Sequence, residues 1–161
     1  MPAGRLVWNL LDPMEPADGY QDYWASYIGE GHRLCLGTNG AYLSHVEGQS
    51  RPFDLYAYGC DLFYNWGPFT FQAEYDRFHT IAHGSGWYTQ AGYLFHPCFE
   101  AAVRYQQLNP IHGGKINWTS LGLNGYIRKH SLKIQTDYTF KQEREEKKVD
   151  HLFQIQLQLS L

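Results

Sequence analysis

Residues 150–161, DHLFQIQLQLSL, carry an apolar side chain at every second position: Phe153, Ile155, Leu157, Leu159 and Leu161 on one side, and Gln154, Gln156, Gln158 and Ser160 on the other. A period of two is the mark of a β-strand with two unlike faces. The same alternation recurs along the chain. Leu6, Trp8 and Leu10 oppose Arg5, Val7 and Asn9, and Leu34, Leu36, Thr38, Gly40 and Tyr42 oppose Arg33, Cys35, Gly37, Asn39 and Ala41. Tyr56, Tyr58, Cys60, Leu62 and Tyr64 oppose Ala57, Gly59, Asp61 and Phe63, and Phe69, Phe71, Ala73 and Tyr75 oppose Thr70, Gln72, Glu74 and Asp76. Trp87, Thr89, Ala91 and Tyr93, then Phe99, Ala101, Val103 and Tyr105, continue the apolar series against Tyr88, Gln90, Gly92, Glu100, Ala102 and Arg104. Thr119, Leu121, Leu123, Gly125 and Ile127, then Leu132, Ile134, Thr136, Tyr138 and Phe140, complete it against Ser120, Gly122, Asn124, Tyr126, Lys133, Gln135, Asp137, Thr139 and Lys141.

The pattern predicts eight or nine strands, each roughly 8 to 14 residues long, joined in order by hairpins. The links at Gly67-Pro68, His96-Pro97 and residues 128–130 are tight, whereas residues 79–86, 107–115 and 141–150 read as longer loops. Residues 12–30 form a long irregular connection with a helical turn around 21–28. Short turns alternating with long loops are typical of outer-membrane barrels, and small residues crowded among charges on one face suggest an enclosed, wet interior. A soluble sandwich strand shows the same two-residue period, so that architecture stays open as well.

Composition changes this picture little. The chain of 161 residues is 17% aromatic, with thirteen Tyr and five Trp, side chains that collect where a surface passes from lipid to water or fill an aromatic β core. Its mean hydropathy of -0.49 and short apolar runs exclude a membrane-spanning helix. A formal charge of -3 without a basic stripe gives no reason to expect nucleic-acid binding. Cys35, Cys60 and Cys98 are odd in number and widely spaced, which speaks against a disulfide scaffold or zinc site. The eight histidines fall mainly at turns, with His79 and His83 four apart and no HExxH, so neither metal nor cofactor is expected. No nucleophile elbow, phosphate loop or dinucleotide fingerprint is present, and the chain is not expected to be an enzyme. MPAGRLVWNLLD is not a signal peptide.

The segments GYLFHPCFEAAVRYQQLNP, INWTSLGLNGYIRKHSLKIQTDYTF and DHLFQIQLQLSL together resemble the C-terminal part of the phosphate-selective porins O and P. AYGCDLFYNWGPFTFQAEYDRF and SYIGEGHRLCLGTNGAY are similar to the strand–turn–strand units upstream of it. The resemblance implies an all-β antiparallel meander, either a small transmembrane β-barrel or the C-terminal part of a larger one of about 16 to 18 strands. Residues 1–161 would then be a single porin-like domain, incomplete on its N-terminal side. It further implies a bacterial outer-membrane channel for passive diffusion of small anionic or polar solutes, phosphate among them. Its partners would be outer-membrane lipid and lipopolysaccharide, in a homotrimer, with residues 141–150 outside the cell. On that reading the enclosed face offers Arg5, Arg33, Asn39, Asp61, Glu74, Arg104, Asn124, Lys133 and Asp137 as lumen-facing candidates. Arg104 and Lys133 would attract anions, with Glu74 and Asp137 opposing them. Two other functions fit the same pattern: a non-conducting structural or binding barrel of the outer membrane, and a soluble β-sandwich binding module. In the sandwich, Tyr56, Tyr58, Tyr75 and Tyr138 would pack into a core.

Overall fold

A computed structural model describes residues 2–12, 28–46, 53–79, 83–110, 113–128, 131–143 and 148–159. These form nine strands: β1 (Ala3–Asn9), β2 (His32–Val46), β3 (Phe53–Trp66), β4 (Phe69–His79), β5 (His83–His96), β6 (Phe99–Asn109), β7 (Ile116–Arg128), β8 (Leu132–Glu143) and β9 (Lys148–Leu159). They make one sheet in chain order, each strand antiparallel to the next. Every neighbour in sequence is a neighbour in space, so the backbone groups of β2 to β8 are paired on both sides.

The sheet is open. Among the described residues β1 pairs with β2 alone and β9 with β8 alone, leaving two free edges. This overturns the expectation of a closed transmembrane barrel, and with it that of a porin-like domain. A spanning barrel owes its stability in lipid to having no edge, because unpaired N–H and C=O groups are costly there. Alternation along each strand cannot report closure, since an open sheet and a barrel share the same period. No helix among the described residues is long and apolar enough to cross a membrane. The helical turn expected around 21–28 lies almost wholly outside the described residues.

The strands also run further than their hydrophobic pattern does. β5 begins at His83, so that Gly84, Ser85 and Gly86 pair with β4 instead of forming a loop. β6 continues through Gln107, Leu108 and Asn109, and β8 and β9 remain paired to Glu143↔Lys148. Glycine hid the first of these extensions. A Cβ on Gly84 would fall inside the Phe78 ring, so the missing side chain is what lets that ring lie across β5. At the tight link between β3 and β4, Gly67 takes a positive φ of 52° and its N–H donates to the Gly31 carbonyl at 3.2 Å.

The two faces differ sharply. Leu121, Phe153, Ile155, Leu157 and Leu159 are 59–67% exposed on the apolar side. On the polar side stand most of the buried side chains: Cys35, Phe63 and Asn65 at 0–1%, Glu100 at 4% and Asp61 at 9%. The usual arrangement, apolar inward and polar outward, is reversed within this chain. Small residues make the polar face possible. A Cβ on Gly92 would collide with the Glu100 carboxylate and the Thr70 hydroxyl, and one on Gly37 with the Asp61 carboxylate.

Gly92→Val is therefore expected to lower the unfolding free energy by about 1–3 kcal/mol through overpacking. Gly86→Ala, whose new Cβ would sit in ordinary contact 3.5 Å from Leu108 Cδ1, should stay within about 0.5 kcal/mol of wild type. Urea unfolding of both variants checks the contrast.

Candidate functional site

Register places all nine charged and amide residues singled out from the sequence on the polar face. Arg5 stands opposite Asn39, Asp61 opposite Glu74, and Arg33 opposite Asn65. Further along, Arg104 faces Gln90 and Ser120, Asn124 faces Glu100 and Gln135, Lys133 faces Tyr126, and Asp137 faces Gly122 and Gln154. They do not converge on one point. Asp61 and Glu74 belong to an acidic cluster on β3 to β5 that Arg5 joins from β1, and Lys133 to a carboxylate hub at the turn end of β6 and β7. Arg104, Asn124 and Asp137 belong to an amide-rich surface across β5 to β9, while Arg33 and Asn39 lie on β2 outside these groups.

In the acidic cluster, Arg5 Nη2 donates to Asp61 Oδ1 at 2.9 Å, and Glu74 interacts with Asp76, Tyr88 and Asp61. Burial pushes the Asp61 carboxyl above its ordinary range, and Arg5 only partly offsets this. Glu74 is raised for the same reason, reinforced by Asp76. Burial together with Glu74 also pushes the Tyr88 phenol upward. The Arg104 guanidinium lies over the Tyr88 ring with its carbon 4.1 Å from the centroid, a cation–π contact.

The second group centres on Glu100, which the sequence reading did not single out. Thr70 Oγ1 donates to its Oε1 at 3.3 Å, and the Tyr126 hydroxyl donates to its Oε2. Lys133 is near enough to feel this carboxylate, yet burial dominates and lowers the Lys133 ammonium from its ordinary value. Nearby, the wholly buried Asn65 donates to the carbonyls of Glu30 and Gly31 at 2.8 and 3.2 Å, tying the start of β2 to the end of β3. The signal for Glu100 was present: it occupies a polar-face position opposite Leu94 and Asn124. Its burial depends on Gly92, a cross-strand neighbour whose contribution is empty space.

The third group borders a cavity of about 420 Å³ on the polar face. Its walls include Gln90, Arg104, Gln106, Trp118, Gln135 and Asp137, with Gln154 and Gln156 from the edge strand. Internal bonds preset several of these groups. Gln135 Nε2 donates to Asn124 Oδ1 at 3.0 Å, the Ser120 and Thr139 hydroxyls lie 2.7 Å apart, and Thr139 Oγ1 donates to Asp137 Oδ2 at 3.3 Å. Gln154 and Gln156 are two apart on β9, and Gln90, Gln106 and Gln135 each fall at a polar position of their own strand, so their shared face was legible. That they border one cavity with Trp118 follows only from the register of five strands.

Elsewhere the three cysteines are free, Cys35 buried and Cys60 and Cys98 exposed. No group of three or more His, Cys, Asp or Glu side chains among the described residues is arranged to hold a metal ion.

Comparison with protein-family models, curated proteins and solved structures yields no match. The resemblance to the phosphate-selective porins thus finds no support in sequence comparison, and the open sheet contradicts it in structure. Without closure there is no lumen, which removes the channel, its diffusing anionic or polar solutes and the homotrimer of pores. The outer-membrane location, lipid and lipopolysaccharide contacts and the extracellular placement of residues 141–150 rested on the same barrel and fall with it.

The raised Asp61 and Glu74 carboxyls make stability depend on pH. A carboxyl with a higher pKa folded than unfolded takes up protons on folding, so its stabilising contribution grows as pH falls and is lost as pH rises through the folded value. Lowering the pH from about 7 towards about 5, just above the ordinary carboxylate range, should stabilise wild type more than the Asp61→Asn, Glu74→Gln double variant. Chemical denaturation of both proteins across that window isolates the two carboxyls, because every other group is common to both.

Proposed function

We propose that this chain is a non-catalytic binding module of the β-sandwich kind. Its apolar face lies against a second apolar layer, and its polar face takes an uncharged, polyhydroxylated ligand such as an oligosaccharide. The observation that carries the reading is the cavity on the polar face, whose walls carry amides and hydroxyls in greater number than charges, together with one indole.

Each amide side chain offers both donors and acceptors, which suits neighbouring sugar hydroxyls that also do both. Trp118 adds an apolar body against which the C–H face of a sugar ring can lie. Arg104 and Asp137 bring one charge of each sign to the walls, so the site favours neither an anion nor a cation. The volume lies within the range of about 300–1,000 Å³ usual for small-ligand sites. Side chains held by the Gln135–Asn124 and Ser120–Thr139 bonds need little reordering to bind.

The second layer follows from the exposed face. Tyr56, Tyr58, Tyr75 and Tyr138 remain 37–45% exposed in the single chain, in line with their large apolar neighbours on the same side. A contiguous apolar surface of this extent marks an interaction face, and stacking against another layer at about 10 Å is how sheets bury one.

Titration calorimetry with maltohexaose and cellohexaose should show binding of at least one of them, weakened about tenfold or more (roughly 1.4 kcal/mol) in Trp118→Ala and in Gln135→Ala. Absence of binding heat with both sugars, or affinities indifferent to both substitutions, would overturn the ligand assignment.

A further inference from the structure

We propose that His79 and His83 form a cross-strand chelate for a borderline-soft divalent cation, Zn²⁺ or Ni²⁺, at the end of the β4–β5 hairpin where one strand leads into the next. The site is independent of the polar-face cavity.

The two residues are a directly opposed pair in the antiparallel register, the last of the β4–β5 ladder. Opposed side chains on one face of such a ladder have Cβ atoms about 4.5–5.5 Å apart, close enough for two imidazoles to share a ligand. Here the ring centroids are 3.9 Å apart at 43°, and the Nδ1 atoms of the two rings face each other in hydrogen-bonding contact. Only one of the two nitrogens can carry the hydrogen; the other presents its lone pair. A cation takes the place of that hydrogen and accepts both lone pairs.

The protons balance without loss from the neutral pair. The ring bearing hydrogen on Nδ1 shifts to its other tautomer, with the hydrogen on Nε2, and both Nδ1 lone pairs become ligands. Zinc–nitrogen bonds of about 2.0–2.1 Å with a tetrahedral angle set the two nitrogens roughly 3.3 Å apart. A modest rotation of the exposed His83 ring opens the pair to that span. His79 is the anchored partner, its ring stacked on Tyr56 with centroids 4.5 Å apart at 20°.

Imidazole ligands select zinc, nickel and copper over magnesium and calcium, which prefer oxygen. Water completes the coordination sphere, since the described residues place no third His, Cys, Asp or Glu with this pair. The Arg77 charge reaches His79 and repels a cation.

The test is calorimetric titration of the full chain, free of any affinity tag, with ZnCl₂ and NiCl₂, and with MgCl₂ as the hard-cation control. One Zn²⁺ or Ni²⁺ per chain is expected, with affinity reduced about tenfold or more (roughly 1.4 kcal/mol) in His79→Ala and in His83→Ala. His151→Ala should bind as wild type, because His151 Nδ1 is already engaged by the Tyr138 hydroxyl at 2.5 Å. Circular dichroism of each variant verifies that the sheet is intact. Imidazole ¹⁵N resonances add a second readout: zinc should shift Nδ1 of both residues and leave His151 unmoved. Binding no stronger than that of Mg²⁺, zinc affinity unchanged in both substitutions, or no shift at the two Nδ1 atoms would each overturn the proposal.

Discussion

Cross-strand register is the constraint on which the rest of this structure depends. Side chains alternate faces at every residue, so a slip by one position in any strand would carry its charged groups to the apolar side. The ladders of all nine strands keep a single assignment. Arg5, Asp61, Glu74, Arg104, Asn124 and Asp137 thereby share one face, and Trp8, Leu62, Phe71, Leu121 and Ile155 the other. Where the ladder is irregular, at Leu43/Val46, Leu94/His96 and Tyr126/Arg128, the shift lies next to a strand end and spares the strand centres.

From this register comes an unusual distribution of burial. Polar side chains shelter one another, as Glu100 does with Thr70 and Tyr126, while bulky apolar groups stand exposed on the opposite side. Buried polar groups are stable only when their partners are in place, and the small residues Gly37, Gly59 and Gly92 leave the space in which carboxylates can sit. The apolar face has no counterpart within the chain. A sheet of this kind gains its full hydrophobic stabilisation only when a second apolar layer covers it. The edge strand β9 is the extreme case, with Phe153, Ile155, Leu157 and Leu159 all 63–67% exposed.

The proposed ligand surface and the histidine pair use different consequences of the same ladder. Across β5 to β9, amides contributed by successive strands assemble a broad polar surface around Trp118. At the hairpin end, one directly opposed pair brings two imidazole nitrogens into line. Both depend on side chains separated by many residues or by a turn, and both are exposed to register in a way that single substitutions can report.

The chain's own order of residues determined where most strands lie and which side chains share a face, because a two-residue period is a local property of extended backbone. It could not show whether β1 and β9 meet, since that depends on how successive strands add up over the whole sheet; the barrel inferred from resemblance failed at this point. Loop lengths were misjudged for a related reason. Gly84 and Gly86 carry no hydrophobic signal, yet they continue a strand because Phe78 and Leu108 occupy the space beside them. The nine charged and amide residues were legible as one face, but not their partition into an acidic cluster, a Glu100 hub and an amide-lined cavity. Those groupings are made by neighbours in space: tertiary structure alone brought Glu100 to Tyr126, and strand pairing through what read as a loop set His79 opposite His83.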